Sequence, residues 1–434
     1  MKVLHINKFQ SGGAALCAIR INKALVEKGI ESRILFGEGN SMPEGVKGAI
    51  ALPDVVFWNK NIFLRAIKKF FKLFGIWLVD VEKSYYQLQK ANESQLYVHQ
   101  PLSSYKNITS HPLVEWADII HLHWVSDFID YPTFFQAIKK PIVWTLHDSW
   151  PFCGICHYFF DCEGYKKRCG CCPFLHSNDD HDLSYQIWKK KQVIYKDLDL
   201  HIVTPSRWLG DCAKQSSLME RFPVIVIPNC LDINEFRPLN EKEISPRWRN
   251  FQEKRFEKPF VLYGAMNAAT DKIKGFSNLL SALGLLQERN HANDFELIVF
   301  GAAESELSMD VSIPIHYVGY VYDTHELVSL YNLASVMVVP SLTENLSCAI
   351  MESLSCGTPV VAFNIGGNGD MIEHKVNGYL AQEKDDADLA QGILWCLENN
   401  HEGDLSRAAR GKVLREYCLE VVCNKYKELY NSVV

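Results

Sequence analysis

Residues 335–363 read SVMVVPSLTENLSCAIMESLSCGTPVVAF. The run SVMVVPS is short, apolar and β-branched, as a buried strand is, and it stops at Pro340. Apolar residues then fall at Leu346, Ala349, Ile350 and Leu354, a helical spacing that Gly357 and Pro359 terminate. TPVVAF begins a second strand. Strand, helix, strand within so few residues is the repeating unit of a parallel α/β sheet. Between the strands stand two carboxylates, Glu344 and Glu352, eight positions apart.

The same alternation runs along the chain. KVLHI, SRILFG, DIIHLHW, PIVWTLH, LHIVTP and VIVIPN are strand candidates in the first half. PFVLYGA, FELIVFGA, IHYVGYV, SVMVVPS and TPVVAF are those of the second, with amphipathic stretches between many of them. This predicts an α/β protein with parallel sheets covered on both faces. A chain of 434 residues exceeds one ordinary core, so two domains are expected. The polar, Pro-interrupted stretch 231–258 reads as a linker. It leaves an N-terminal Rossmann-like domain over 1–230, with inserts near 55–110 and 149–180, and a C-terminal one over 259–410. Residues 411–434 read as a C-terminal helix returning to the first domain. Two such halves facing each other leave a cleft at their strand C-termini, where ligands bind.

The net charge of −6 argues against nucleic acid as a partner. No signal peptide opens the chain and no apolar run reaches membrane-spanning length, so a cytoplasmic protein is expected. In a reducing compartment most of the 14 cysteines read as small buried hydrophobes.

The predicted helix places Glu344 in the loop before it and Glu352 about two turns in. The backbone N–H groups of Asn345, Leu346 and Ser347 lie at its start, a position that attracts phosphate. One acid on each side of a diphosphate suits a nucleotide sugar, whose diphosphate joins a sugar to a ribose. A capping acid and a solvated helix acid account for the same spacing.

E-x7-E followed by S-x-x-x-G-T-P-V-V closely resembles the signature of the retaining GT-B glycosyltransferases of "group 1", or family 4. The resemblance implies two Rossmann-like domains facing each other across a cleft, with the donor held mainly by the second. It implies that Glu344 lies beside the transferred sugar and that Glu352 takes the ribose hydroxyls. Asn345, Leu346 and Ser347 then serve the sugar and diphosphate. INKFQSGGAALCAIRINKALVEKG resembles the family's first strand, glycine loop and helix, with Gly12 and Gly13 approaching the diphosphate. IPNCLD resembles I-P-N-G-V-D with Cys230 for glycine, and GGNGD resembles G-G-x-x-E with Asp370 for the acid. The family's arginine falls on Ala265. Lys274 fits its lysine, and Lys272 stands near enough to supply the second cation. YGAMNAATDKIKGF is similar in this to exopolysaccharide transferases of the colanic-acid type.

His147 ends a strand candidate and resembles the family histidine that contacts the sugar or acceptor side. Asp148 and His123 are placed on that side as well, while His121 and His123 share one strand face and also suit a core. Catalysis by positioning and by stabilising the leaving diphosphate needs no covalent nucleophile. No D-x-D motif stands in a suitable loop, so no cofactor is required for catalysis.

FCGICHYFFDCEGYKKRCGCCP holds Cys156, Cys162, Cys169 and Cys172 as C-x5-C-x6-C-x2-C. A structural zinc clip, two disulfides and free thiols are all open readings. Val55–Val79 carries Lys60, Arg65, Lys68, Lys69 and Lys72 among large apolar residues, with no acid. This suits a helix on an anionic membrane surface or one packed on the core, and gives a peripheral location on the inner face of the cell membrane.

The expected activity is retaining transfer from a UDP- or GDP-sugar to a glycan or polyprenyl-linked acceptor, in surface or exopolysaccharide synthesis. The rivals are a GT-B sugar-nucleotide epimerase or hydrolase and a non-catalytic, zinc-stabilised membrane scaffold.

Overall fold

A computed structural model describes residues 1–37, 49–51, 106–126, 128–265, 271–302 and 311–434. The basic aromatic stretch 55–79 lies outside the described residues, as does most of the insert near 55–110. The chain divides into two compact units. The first comprises Met1–Pro205, Leu209–Val226 and Lys427–Val434, and the second Ser206–Trp208 and Ile227–Tyr426.

The first unit holds β1 (Lys2–Asn7), β2 (Glu31–Phe36), β3 (Ala49–Ala51), β4 (Ile119–Leu122), β5 (Ile142–Thr145), β6 (Leu200–Thr204) and β7 (Val224–Val226). They form one sheet in the order β3-β2-β1-β4-β5-β6-β7, and every neighbouring pair is parallel. The chain builds outward from β1 through β3, then crosses to β4 on the other side. The loops after β1 and β4 therefore flank the point where the winding reverses.

The second unit repeats this plan. Its strands are β8 (Phe260–Gly264), β9 (Glu296–Phe300), β10 (Ile315–Gly319), β11 (Val336–Val339), β12 (Val360–Phe363) and β13 (Gly378–Ala381). The order is β10-β9-β8-β11-β12-β13, again all parallel. The reversal lies between β8 and β11. Both sheets are thus doubly wound, and in such sheets ligands bind beyond the strand C-termini at the reversal.

Burial explains why the central strands β8, β11 and β12 read as unbroken apolar runs. Alternate side chains feed separate cores on the two faces of the second sheet. Phe260, Leu262, Met337 and Val339 join one cluster, and Val261, Tyr263, Val336 and Val338 join the other. Residues 231–258 fold with the second unit, where Leu231, Phe236, Ile244 and Trp248 enter the first of these clusters.

All eleven strand candidates form strands. Two short strands, β3 and β13, add to them. β13 has only four residues and starts at Gly378, where a Cβ would fall 2.2 Å from the Val360 carbonyl oxygen. Close strand approach, not side-chain pattern, selects that glycine. No helix among the described residues is long and apolar enough to cross a membrane.

Candidate active site

In the second unit the loops after β8 and β11 are tied together. Asp271 accepts from the Ile273 N–H and starts the single turn Lys272–Lys274. The Leu342 N–H donates to the Ile273 carbonyl at 2.8 Å. Gly275 closes the turn at φ 68°, and a Cβ there would meet the Pro340 carbonyl oxygen at 1.8 Å. The two loops flanking the reversal therefore pack backbone to backbone.

This packing brings Lys274 to Glu344, with Nζ 2.8 Å from Oε1. The Ser341 hydroxyl donates to the same Oε1 at 3.0 Å. Among the described residues Oε2 has no partner. Lys272 is exposed and makes no ion pair among the described residues.

The helix between the strands differs from expectation. It covers Cys348–Ser355, so Asn345, Leu346 and Ser347 precede it, and Glu352 lies in its second turn rather than two turns in. Ser347 is the N-cap, with extended φ −67° and ψ 121°. Its side chain makes no capping hydrogen bond, so the helix start is not set by Ser347 itself. Residues 344 and 345 are held out of the helix by tertiary contacts. The Gly367 N–H donates to the Glu344 carbonyl at 3.3 Å, and Ser206 Oγ donates to Asn345 Oδ1 at 2.7 Å. Gly366, at φ 51°, would place a Cβ 1.7 Å from the Glu344 carbonyl oxygen, and Gly367 one 1.9 Å from that of Asn345. The GGNGD loop is thus the floor on which Glu344 rests.

Glu352 is buried, with the Tyr331 hydroxyl donating to Oε2 at 3.4 Å. Asp370 receives two bonds from Arg207, from its N–H at 2.7 Å and its Nε at 3.0 Å. Ser206, Arg207, Ser341 and Tyr331 were not singled out from the sequence. Arg207 and Asp370 lie 163 positions apart, and no periodicity connects them.

In the first unit Gly12 and Gly13 follow β1 and open the helix Gly13–Glu27. Gly12 has φ 90°, which excludes other residues at little strain, and a Cβ at either glycine meets nothing within 4 Å. Across the reversal, β4 and β5 present histidines. His123 Nδ1 lies 3.0 Å from His147 Nε2, and His123 Nε2 lies 2.9 Å from Nδ1 of His5 on β1. His121 lies between the hydroxyls of Tyr430, 2.6 Å, and Thr145, 2.7 Å. Burial pushes His5 down to about 3 and His147 to about 4, and holds His121 and His123 well below the ordinary value. All four are neutral at pH 7. No sequence pattern marks His5. It matters because parallel register sets it opposite His121.

Asp148 is buried and holds three groups. Trp124 Nε1 donates to it at 2.7 Å, the Trp150 N–H at 2.8 Å, and His157 Nδ1 lies 3.0 Å away. It fixes the start of the cysteine insert. None of the 14 cysteines is in a disulfide. The neighbouring Cys156 and Cys172 thiols interact, which pushes Cys156 up and Cys172 down, and the Gly154 N–H donates to Cys169 Sγ at 3.2 Å. The insert is anchored by the buried ammonium of Lys191, which donates to the carbonyls of Trp150, Cys153 and Gly154. The ligand atoms of His5, His121 and His123 lie within 4.8 Å of one another, as do those of Asp179, Asp180 and His181. Among the described residues, Cys156, Cys162, Cys169 and Cys172 do not form so tight a group.

Residues 257–399 match the family model described as "Glycosyl transferases group 1". Along 99% of its length the chain is 24% identical to the putative colanic acid biosynthesis glycosyl transferase WcaC of Escherichia coli K12, and it covers all of that protein. Over 58% of the chain and 68% of the relative it is 21% identical to an E. coli UDP-Gal:alpha-D-GlcNAc-diphosphoundecaprenol alpha-1,3-galactosyltransferase. The Anabaena Alr3699/HepE structure in complex with UDP and glucose superposes with a TM-score of 0.62, covering 100% of both chains at 16% identity. Two doubly wound units of this order have the GT-B fold. Residues 257–399, which hold Lys274, Glu344 and Glu352, are thus a domain of the group 1 glycosyl transferase type.

Proposed function

We propose that this protein is a retaining hexosyltransferase that moves a sugar from a UDP- or GDP-sugar to a glycan or polyprenyl-linked acceptor in surface polysaccharide synthesis. The observation that carries the donor assignment is the Lys274–Glu344 pair at the sheet reversal, one turn before a helix N-terminus. In this reading the diphosphate takes the ammonium groups of Lys274 and Lys272. It also faces the first turn of Cys348–Ser355, where backbone N–H groups and the helix dipole favour negative charge. Those groups stabilise the charge that develops on the leaving diphosphate. Glu344 Oε2 is available to sugar hydroxyls while Oε1 stays with Lys274 and Ser341, and Glu352 takes the ribose. Gly12 and Gly13 leave open space for close backbone approach. His147 contributes on the first unit, near His123 and Asp148. The lipid-linked acceptor is supported by the galactosyltransferase relative, whose name contains a diphosphoundecaprenol acceptor.

Product analysis tests the reaction. Transfer with retention of the donor's anomeric configuration, dependent on acceptor, is expected. Rapid turnover of donor alone would indicate the epimerase or hydrolase reading.

Two further assignments belong to the same proposal. Anionic membrane contact is assigned to 55–79 because five cations stand among large apolar residues there with no acid. A structural zinc is assigned to Cys156, Cys162, Cys169 and Cys172. The closing C-x2-C and the Cys156–Cys172 contact support it. Binding would draw the sulfurs inward, since ligands at about 2.3 Å from one ion stand closer together than these do.

A further inference from the structure

We infer that His5 and His123 are positioning residues that fix the tautomer of His147, making it an Nδ1–H hydrogen-bond donor rather than a base. The functional half of this inference rests on His147 taking part in transfer; the tautomer itself does not.

Three imidazoles stand head to tail. His5 Nδ1 is 2.9 Å from His123 Nε2, and His123 Nδ1 is 3.0 Å from His147 Nε2. A neutral imidazole has one N–H and one lone pair. Each short nitrogen–nitrogen contact holds one proton, so the orientation of one ring sets the next. The chain therefore has two arrangements, with all N–H groups pointing from His5 toward His147 or all pointing back.

The inner end decides between them. His5 is fully buried, and its Nε2 has no hydrogen-bond partner among the described residues. If the donors ran inward, His5 Nε2 would carry a buried, unmatched N–H. If they run outward, it carries only a lone pair. Orphaned buried N–H groups are the rarer of the two in folded proteins. The donors run outward, and His5, His123 and His147 all carry their proton on Nδ1. Burial excludes the alternative of an imidazolium in the chain near neutral pH.

His121 does not interfere. Its ring centroid is 4.3 Å from that of His123, but its nitrogens meet the Tyr430 and Thr145 hydroxyls, each able to donate or accept. The same rings could hold a metal ion only by giving up these contacts, and no carboxylate belongs to the group to offset the ion's charge. The hydrogen-bonded chain accounts for the geometry without that cost.

The consequence is chemical. With Nε2 accepting from His123, the single ring proton of His147 sits on Nδ1, which then has no lone pair to receive one. His147 can stabilise an oxygen of the sugar or acceptor but cannot deprotonate the acceptor hydroxyl through that nitrogen.

The test is magic-angle-spinning NMR of the full chain carrying histidine labelled with 15N at Nδ1 only, at pH 7.5. Subtracting the spectrum of His147→Asn isolates the His147 signal. A protonated, pyrrole-type Nδ1 is expected. A pyridine-type or metal-shifted Nδ1 would overturn the inference. His123→Phe should release the tautomer and bring in pyridine-type signal, while His123→Asn, whose amide can still donate toward His147, should keep Nδ1 protonated. An unchanged signal in His123→Phe would show that His123 does not set it. Acceptor-dependent turnover is measured separately, so loss of the transfer reading would leave the NMR result standing.

Discussion

Lys274 and Glu344, 70 positions apart, form an ion pair of 2.8 Å at the loop junction between β8 and β11. Each is partly buried, and the pair sits where a doubly wound sheet binds its ligand. An ammonium has three N–H donors, so Lys274 can keep one on Glu344 Oε1, which Ser341 also holds, and direct others to a diphosphate. Replacing Lys274 with alanine is expected to lower kcat/KM roughly 100-fold, the scale for losing one preorganised donor to a developing oxyanion. Lys274→Arg should recover only part of this, since a planar guanidinium does not replace a point charge in a fitted turn. Steady-state kinetics with saturating acceptor measure both.

Gly366→Ala tests the floor beneath Glu344. The substitution puts a methyl group 1.7 Å from the Glu344 carbonyl oxygen at φ 51°, so the loop must move. Donor affinity should fall at least tenfold, with a loss of about 1–3 kcal/mol in stability. Calorimetric titration with donor and denaturant unfolding read the two effects.

Lys191→Met should loosen the cysteine insert. Burial lowers the Lys191 ammonium to about 7, yet three carbonyls depend on it. Leaving buried acceptors unmatched costs about 1–3 kcal/mol each. Limited proteolysis within 149–180 should accelerate in the variant.

The histidine chain predicts acid sensitivity. His5 and His147 stay neutral in the fold down to about 3 and 4, whereas in the unfolded chain they titrate near the ordinary value of 6.5. As pH falls below 6.5 the unfolded state takes up protons that the fold refuses. Stability from each histidine is therefore complete above 6.5 and declines below it, by up to about 1.4 kcal/mol per pH unit. Urea unfolding at pH 7.5 and pH 5.5 should show a smaller loss in His5→Phe than in the wild type.

Much of the fold was legible because parallel strands buried on both faces are written as unbroken apolar runs, as VMVV and VVAF are. Glu344, Lys274 and the glycines could be located because motifs keep their spacing within one loop. The start of the helix could not. Its position depends on Gly366 and Gly367 holding residues 344 and 345 from a different loop. His5 was equally silent, since a histidine in KVLHIN acquires meaning only when strand register sets it beside His121 and His123. The tie between Arg207 and Asp370 is likewise a product of folding.

The central claim, a nucleotide-sugar site built on Lys274, Glu344 and Glu352, is tested most directly by thermal unfolding with a panel of UDP- and GDP-sugars. A ligand that binds only the folded chain raises Tm, by about 2.7 kcal/mol of stabilisation at 100 times its Kd. One nucleotide class should raise Tm in the wild type and lose that effect in Lys274→Ala and in Glu352→Ala. No shift with any donor in the wild type, or an undiminished shift in both variants, would contradict the account.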